Sequence, residues 1–191
     1  MSQAILEMGS ASEDILGRRR QGYLPAYVGL IGESPLGAIW VAVSDGGLAA
    51  VEIGADLRTI MMSLERRGYR PVLAGNPLLV AAMQQISEYL SGSRRDFDLP
   101  IDWSGMTAFQ EHVLHLTCGI PYGETRTYGE IAAGLGRPRA ARAVGRAEAT
   151  NPMPLVIPCH RVIGADGGLH GYGGAGGIAT KAWLLKLEGG R

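Results

Sequence analysis

The chain has 191 residues, of which 46% are hydrophobic and 19% are charged. This composition excludes an intrinsically disordered protein and supplies enough apolar surface for one globular domain or two small ones. The formal net charge is zero, which argues against a strongly electrostatic nucleic-acid binder. However, residues 126–161 contain six arginines and two glutamates, and this local excess suffices for a modest contact with phosphates.

Two cysteines are present, Cys118 and Cys159. No secretion signal and no run of about 20 apolar residues that would span a membrane is evident in the sequence. We therefore expect a cytoplasmic protein in a reducing environment, without membrane association. Neither cysteine belongs to a Cys-x-x-Cys pair, and His112 and His115 lack the further ligands that a zinc site needs. No metal and no other cofactor is predicted.

The first half of the chain predicts a small α/β domain at residues 23–95, after a flexible tail at residues 1–22. Apolar runs predict three strands, at 27–31, 38–43 and 48–53. The Asp-Gly pair between the last two is typical of a hairpin turn. One helix is predicted at 57–67 and another at 77–90, since Asn76 is a suitable N-cap and Pro77 suits the first helical position. A polar linker at 91–95 then leads to a second domain.

The second domain, residues 96–191, is predicted to be mostly helical. Capping boxes at Thr107 and Thr127 each begin a helix. Cys118 lies at the end of the first of these helices without a basic neighbour, so packing is its favoured role.

A further helix is predicted at 138–148, directly after a stop signal at Gly136, which gives a helix-turn-helix. Its exposed side carries three arginines, Arg139, Arg142 and Arg146. Such helix pairs are common and arginines are often simply solvated. Their place shortly before Cys159 favours the alternative that they hold DNA over that residue.

Residues 154–164 form the most informative stretch, in which an apolar, strand-like run ends at Cys159. Pro158 fixes its own backbone and favours extended geometry before it, so we expect Cys159 at the end of a buried strand. Adjacent side chains on extended backbone point in opposite directions. Contact between Cys159 and His160 therefore needs a turn or a bridging water, and a water-bridged relay is predicted. The alternative is an inert cysteine that fills the core.

In their order along the chain, these motifs resemble those of the O6-alkylguanine-DNA alkyltransferases, also called methylated-DNA-protein-cysteine methyltransferases. The most specific is Pro-Cys-His-Arg-Val at 158–162. The other shared segments are 34–37, 109–110, 120–125, 128–132, 140–145, 151–152, 183–185 and 188–189. The resemblance implies an α/β (α+β) fold in which a small strand-and-helix domain precedes a mostly helical domain with the helix-turn-helix and the reactive cysteine.

The resemblance also implies DNA repair by direct reversal, in which the protein transfers methyl or alkyl groups from O6 of guanine, and also from O4 of thymine, to Cys159. The transfer would be irreversible and stoichiometric. Glu188 would orient His160, which would act through a water as the base for Cys159. Tyr128 would donate a proton to the departing guanine at N3, with support from Lys181.

The implied partner is double-stranded DNA containing O6-alkylguanine, bound by a monomer in the minor groove. Arg142 would replace the everted guanine in the stack. The remaining DNA-binding residues would be Thr127, Arg139, Ala140, Ala141, Ala143 and Arg146. The substrate pocket would include Pro154, Val162, Tyr172 and Gly173, and Asn151 would brace the active-site turn.

The segment 167–177 contains seven glycines and is predicted to form a loop over the alkyl pocket. It is longer than in the family, and ordering so many glycines costs backbone entropy, which favours a tolerant or mobile pocket. Two alternatives to repair remain open. One is a DNA-binding module that recruits other repair proteins, in which the cysteine would be replaced; the other is a cysteine hydrolase, for which no oxyanion hole is indicated.

Overall fold

The computed structural model describes residues 23–189, so the predicted tail at 1–22 lies outside the described residues. Four strands form one sheet in the order β3-β2-β1-β4. They are β1 (Leu24–Ile31), β2 (Ile39–Ser44), β3 (Gly47–Ile53) and β4 (Tyr69–Val72). The pairs β1–β2 and β2–β3 are antiparallel, whereas β4 runs parallel to β1. The three predicted strands are confirmed, with ends shifted by up to three residues.

Strand β4 was not predicted. It is four residues long and contains Pro71, a composition that argues against a strand in a sequence. The structure places it at the edge of the sheet, where it pairs with β1 alone. A proline is tolerated there because one side of an edge strand makes no ladder hydrogen bonds.

Two helices belong to this part of the chain, α1 (Leu57–Arg66) and α2 (Pro77–Leu90). The predicted cap of α2 is confirmed, since the Asn76 side chain accepts hydrogen bonds from the backbone amides of Leu78 and Leu79. Helix α2 buries Leu79, Ala82 and Ile86, among other side chains, in the core beneath the sheet. This helix also supplies Tyr89, which reaches the second half of the molecule.

The second half consists of short elements. They are α3 (Ala108–Cys118), β5 (Arg126–Thr127), α4 (Tyr128–Gly134), α5 (Ala141–Ala149), a 3-10 turn (Cys159–Arg161), β6 (Val162–Ile163) and α6 (Ile178–Leu187). The capping box of α4 is confirmed, because Thr127 and Glu130 exchange side-chain and backbone hydrogen bonds. At α3 only half of the predicted box forms. The Thr107 side chain accepts from the backbone amide of Gln110, but the Gln110 side chain donates to the carbonyl of Thr150 and does not return to Thr107.

Helix α5 begins at Ala141 and not at residue 138 as predicted. The backbone amide of Ala140 donates to the carbonyl of Arg137, so the residues after Gly136 form a separate turn. The predicted pair of helices joined by a short turn is present, and Val144 and Ala147 hold α5 against α3 and α4.

The two halves of the chain share one hydrophobic core. It joins β2, β3 and α2 to Leu114 of α3, the segment 153–157 and Leu184 of α6. The backbone of β3 also bonds directly to the second half, since the amide of Val51 donates to the carbonyl of Pro152. The sheet therefore supports the segment that leads to Cys159. Within residues 23–189 no helix is long and apolar enough to cross a membrane.

Candidate active site

The segment before Cys159 forms turns, so the predicted strand is wrong. The backbone amide of Ile157 donates to the carbonyl of Met153 at 2.9 Å. Asn151 spans this turn, because its amide donates to the Ile157 carbonyl at 2.9 Å and its oxygen accepts from the Met153 amide at 3.0 Å. A short apolar run does not distinguish a buried strand from a buried turn. Here the Asn151 side chain supplies hydrogen bonds that a neighbouring strand would otherwise make.

Cys159 and His160 both lie in the 3-10 turn and are buried. The backbone is not extended, so the reason given for opposed side chains does not apply. Even so, no hydrogen bond joins the thiol to the imidazole in the described part of the chain. The water-bridged relay between Cys159 and the imidazole stays a prediction.

The contacts of His160 define its tautomer. Its Nε2 atom lies 3.0 Å from Oε1 of Glu188 and 3.2 Å from the Tyr89 hydroxyl. That hydroxyl uses its one hydrogen to donate to Glu188 at 2.6 Å, and an ionised carboxylate only accepts. Nε2 must therefore carry the proton. Burial lowers the pKa of His160, which favours the neutral ring with an unprotonated Nδ1.

Nδ1 of His160 is buried and has no hydrogen-bond partner among residues 23–189. An unprotonated, unpaired ring nitrogen is able to accept a proton. The side chains of Tyr89 and Glu188 thus hold the imidazole so that its basic nitrogen is the one available for chemistry.

Glu188 is held as an anion by several donors. Nε and Nη2 of Arg161 lie 3.0 and 2.8 Å from its carboxylate oxygens, and the amide of Gly123 donates at 3.1 Å. Burial raises the pKa of Glu188, but the hydrogen bonds from His160 and Arg161 outweigh it, so the pKa lies well below the ordinary value. The site therefore contains a buried anion beside a neutral imidazole.

Sequence reasoning missed two members of this cluster. Arg161 was counted among the basic residues of a phosphate-binding segment, which is wrong because it is 6% exposed and paired with Glu188. Its position next to His160 was the available signal. Tyr89 lies 71 residues from His160, and no local pattern connects the two.

The Cys159 thiol is protonated in this environment. Burial raises its pKa to about 12, and the nearby charge of Glu148 acts in the same direction. The site therefore does not stabilise a thiolate near neutral pH. The proton has to leave during the reaction.

Tyr128 and Lys181 lie together near Cys159. Parallel pairing of β5 with β6 places the start of α4 beside the active-site turn. Nζ of Lys181 donates to the carbonyl of Val162 at 2.5 Å and lies 3.4 Å from the Tyr128 hydroxyl, which itself donates to the carbonyl of His170 at 2.7 Å. Burial lowers the pKa of Lys181 and raises that of Tyr128. The lysine is thus placed to supply a proton to the tyrosine.

Two cavities adjoin Cys159. The smaller, of about 40 Å³, is lined by Tyr128, Gly145, Glu148, Ala149, Cys159, His170, Gly171 and Tyr172. The larger, of about 180 Å³, is lined by Val51, Glu52, Ile53, Glu148, Ala149, Thr150, Asn151, Pro154, Cys159, Gly173 and Gly174. Of the predicted pocket residues, Tyr172 lines the smaller cavity, and Pro154, Asn151 and Gly173 line the larger. Val162 lines neither and contributes its carbonyl to Lys181 instead.

The glycine-rich loop closes over these cavities and touches both halves of the molecule. A side chain at Gly173 would meet the carbonyl of Ala149 at 2.6 Å, and one at Gly174 would meet Ile53 of β3 at 3.3 Å. Larger residues would therefore not fit at these two positions without a shift of the loop. One wall of the larger cavity comes from β3, which sequence reasoning had assigned to a domain without chemistry.

The predicted DNA-binding residues lie on the surface of α5 and the turn before it. Arg139, Arg142, Ala143 and Arg146 are exposed, and Ala140 and Ala141 are partly exposed. Thr127 caps α4 from a partly buried position. The last residues of α5 line both cavities, so this helix connects the exposed arginines to Cys159.

The other thiol and the two histidines of α3 take no part in this arrangement. Cys118 is exposed at the end of α3 and lines neither cavity. His115 stacks on Trp103 at a ring distance of 3.8 Å. Across the described residues, no group of three or more histidine, cysteine, aspartate or glutamate side chains is placed to hold a metal ion.

Comparisons with known proteins agree over nearly the whole described chain. Residues 26–103 match the family model described as 6-O-methylguanine DNA methyltransferase, ribonuclease-like domain, and residues 108–190 match its DNA binding domain. A methylated-DNA-protein-cysteine methyltransferase of Methanosarcina barkeri is 43% identical over 156 residues, which covers 82% of this chain and 93% of the relative. The constitutive enzyme of Bacillus subtilis is 38% identical over 160 residues, with coverage of 82% and 92%.

Two solved structures are similar in fold. The crystal structure of Mycobacterium tuberculosis OGT in complex with DNA has a TM-score of 0.70 and 39% identity, and the match covers 85% of this chain and 92% of that one. The O6-methylguanine-DNA methyltransferase of the archaeon Pyrococcus kodakaraensis has a TM-score of 0.58 and 27% identity, with coverage of 86% and 99%.

Proposed function

The chain belongs to the 6-O-methylguanine DNA methyltransferase family, and we propose that Cys159 is the residue that receives the alkyl group. The protein is a methylated-DNA-protein-cysteine methyltransferase that repairs DNA by direct reversal. The observation that carries the assignment of Cys159 is its position at the boundary of both cavities, beside the ordered pair of His160 and Glu188. Neither the recruiting module nor the hydrolase is retained.

The proposed reaction is a displacement at the alkyl carbon. Sulfur of Cys159 attacks, a carbon–sulfur bond forms, the bond from carbon to O6 breaks, and its electron pair stays on guanine. The thiol proton passes to Nδ1 of His160 through a bridging water. The departing base takes a proton from Tyr128, whose hydroxyl turns away from the His170 carbonyl and is resupplied by Lys181. The thioether has no easy route to hydrolysis, so each molecule acts once.

The chain binds DNA, and we propose that the bound form is a duplex with O6-alkylguanine, held by a monomer through its minor groove. The exposed face of α5 would enter the groove, where Arg142 takes the place of the everted base. Arg139 and Arg146 would contact phosphates. In support, OGT of M. tuberculosis was crystallised in complex with DNA, and α5 leads from these arginines to the cavities.

The everted base would lie on the side of Cys159 where Tyr128 stands. The cavity there measures about 40 Å³, which holds little more than one water molecule. Entry of a base therefore requires movement of the loop that carries Gly171 and Tyr172. The alkyl group would then point across the sulfur into the larger cavity. A buried single-use thiol also fits the reducing cytoplasm that we propose as its location.

Intact-protein mass spectrometry tests this assignment. After incubation with a duplex that contains O6-methylguanine, we expect the protein to gain one methyl group, and peptide mapping to place it on Cys159. Cys159→Ala should gain none, whereas the matched variant Cys118→Ser should react like the unmodified protein. A methyl group on another residue, or transfer by Cys159→Ala, would contradict the proposal.

A further inference from the structure

Glu148 has no part in the transfer described above, yet it lies next to the reacting sulfur. It stands near the C-terminal end of α5 and is 5% exposed. Its Oε1 atom accepts a hydrogen bond from Thr117 at 2.5 Å. Its Oε2 atom is buried and has no hydrogen-bond partner among the residues that the structure describes. A buried polar atom without a partner is unfavourable, so a group that binds from outside the chain would relieve it.

Glu148, like Ala149 and Cys159, lines both cavities. Given that the base lies on the Tyr128 side, an alkyl group on O6 extends past the sulfur into the larger cavity. That cavity measures about 180 Å³, more than a methyl group needs. An adduct with two or more further heavy atoms therefore has room there and would pass beside Glu148.

Thr150 and Asn151 also line the larger cavity, but both side chains already make hydrogen bonds within the chain. Val51, Ile53 and Pro154 contribute apolar side chains. The second acidic residue, Glu52, already accepts a hydrogen bond from Ser63 at 3.1 Å. Glu148 is thus the residue beside the sulfur whose carboxyl oxygen is both buried and unpaired.

We propose that Glu148 determines substrate specificity in the larger cavity, and that its Oε2 atom binds alkyl adducts that carry a hydrogen-bond donor, such as the 2-hydroxyethyl group. The hydroxyl donates to Oε2 and satisfies it. An n-propyl group has nearly the same shape but carries a methyl where the hydroxyl stands, and it leaves Oε2 unpaired. A site that pairs with a substrate hydroxyl rejects the analogue that lacks it for this reason. The inference rests on the proposed function.

The charge of Glu148 adds a dependence on pH. Burial raises the pKa of this carboxyl to about 7, against the opposing effects of the Thr117 hydrogen bond and the Lys181 charge. The groups that face it are Thr117 and Cys118 on α3, Tyr128 on α4, Cys159 in the 3-10 turn and Lys181 on α6. The thiols and the tyrosine have raised pKa values and stay neutral near pH 7, so Lys181 is the cationic neighbour. Above pH 7 the ionised carboxylate is the stronger acceptor.

The test compares second-order rate constants on duplexes that contain O6-methyl-, O6-propyl- or O6-(2-hydroxyethyl)guanine. The unmodified protein should react about tenfold faster with the hydroxyethyl than with the propyl adduct, as one net hydrogen bond provides, and this ratio should rise between pH 6 and pH 8. Glu148→Leu should abolish or reverse the preference. Glu148→Gln should keep a preference, because an amide oxygen also accepts, but lose its rise with pH.

Glu111→Gln is the matched control, since this glutamate of α3 pairs with His115 at 3.7 Å and lines neither cavity; its ratio should match that of the unmodified protein. Methyl transfer separates the two proposals. If the unmodified protein transfers no methyl group, the proposed function fails. If methyl transfer is intact but the ratio is near one, or is the same in Glu148→Leu, the role of Glu148 is wrong. If Glu148→Leu does not fold, Glu148→Gln still tests the proposal. A hydroxyethyl-to-propyl rate ratio that rises with pH in Glu148→Gln would contradict the role of Glu148.

Discussion

Replacement of Glu188 by glutamine tests whether one buried carboxylate both stabilises the fold and prepares the base. Glutamine has the same shape and still accepts from His160 and Tyr89, but it removes the negative charge that faces Arg161. The Arg161 nitrogens lie 3.0 and 2.8 Å from the carboxylate, and the residue is 6% exposed. Water therefore does not replace the lost partner.

The expected loss of folding free energy in Glu188→Gln follows from the burial of this ion pair. Exposed ion pairs contribute about 0–1 kcal/mol, whereas removal of one partner of a buried pair costs about 3–5 kcal/mol because the other charge stays buried and unpaired. We expect the larger loss for Glu188→Gln. In a protein of this size each kcal/mol lowers Tm by about 2–4 °C, which gives a decrease of about 6–20 °C.

Glu88→Gln is the matched control. Glu88 pairs with Arg94 at 2.8 Å, a distance equal to that between Glu188 and Arg161, but the two side chains of this pair are 33% and 29% exposed. Glu88→Gln should therefore lower the free energy of unfolding by less than about 1 kcal/mol. Urea denaturation of both variants measures the difference.

The pH dependence of stability has a definite sign. Hydrogen bonds from His160 and Arg161 outweigh burial and hold the pKa of Glu188 below its ordinary value. A depressed pKa contributes stability that is fully present above the unfolded-state value of about 4.3 and is lost as pH falls through the folded-state pKa. The advantage of the unmodified protein over Glu188→Gln should be constant above about pH 5 and shrink below that.

Transfer of the methyl group should also slow in Glu188→Gln, because the neutral amide lowers the proton affinity of His160. A general base contributes about 10²–10⁴-fold, and we expect a loss of tenfold or more within that contribution. The assay is the single-turnover rate on a duplex with O6-methylguanine. A variant within 1 kcal/mol of the unmodified protein that also transfers at the normal rate would refute the reasoning on both counts.

Three further variants test the DNA and leaving-group roles. Arg142→Ala should slow transfer from a duplex tenfold or more but leave attack on the free O6-alkylguanine base unchanged, since unstacking costs a few kcal/mol and only the duplex requires it; equal losses would make its role structural. Arg146→Ala should weaken DNA binding and flatten the salt dependence of Kd; an unchanged slope would remove its phosphate contact. Tyr128→Phe should lower the transfer rate about 10²-fold at constant Kd for DNA, and a normal rate would exclude it as the proton donor.

Sequence reasoning succeeded where short-range hydrogen bonds decide the structure. The caps at Asn76 and Thr127 are formed by side chains within three residues of the amides that they bind, so the local sequence contains all the information. It failed where a distant partner decides. The edge strand with Pro71 depends on β1, and the turn before Cys159 depends on how Asn151 folds back onto Ile157.

In the candidate active site, too, residues within sequence motifs were predicted and residues that depend on distant contacts or burial were not. The motif around Cys159 and its implied partner Glu188 are visible in the sequence, and the structure brings His160 and Glu188 within 3.0 Å. Tyr89 was not predicted, because it lies 71 positions before His160 and no local sequence pattern connects the two. Glu148 was counted as an ordinary charge, because a sequence reveals the identity of a side chain but not its burial.

The raised pKa of Cys159 bears on when the base would act in the proposed reaction. A thiol with a pKa of about 12 is ionised at pH 7 only at a cost of about 7 kcal/mol. In the resting protein the sulfur is thus a poor nucleophile. The unprotonated Nδ1 of His160 is nevertheless in place beforehand, held by Glu188 and Tyr89. In the proposed reaction, the thiol proton would therefore leave as the carbon–sulfur bond forms, with His160 acting as the base within that step.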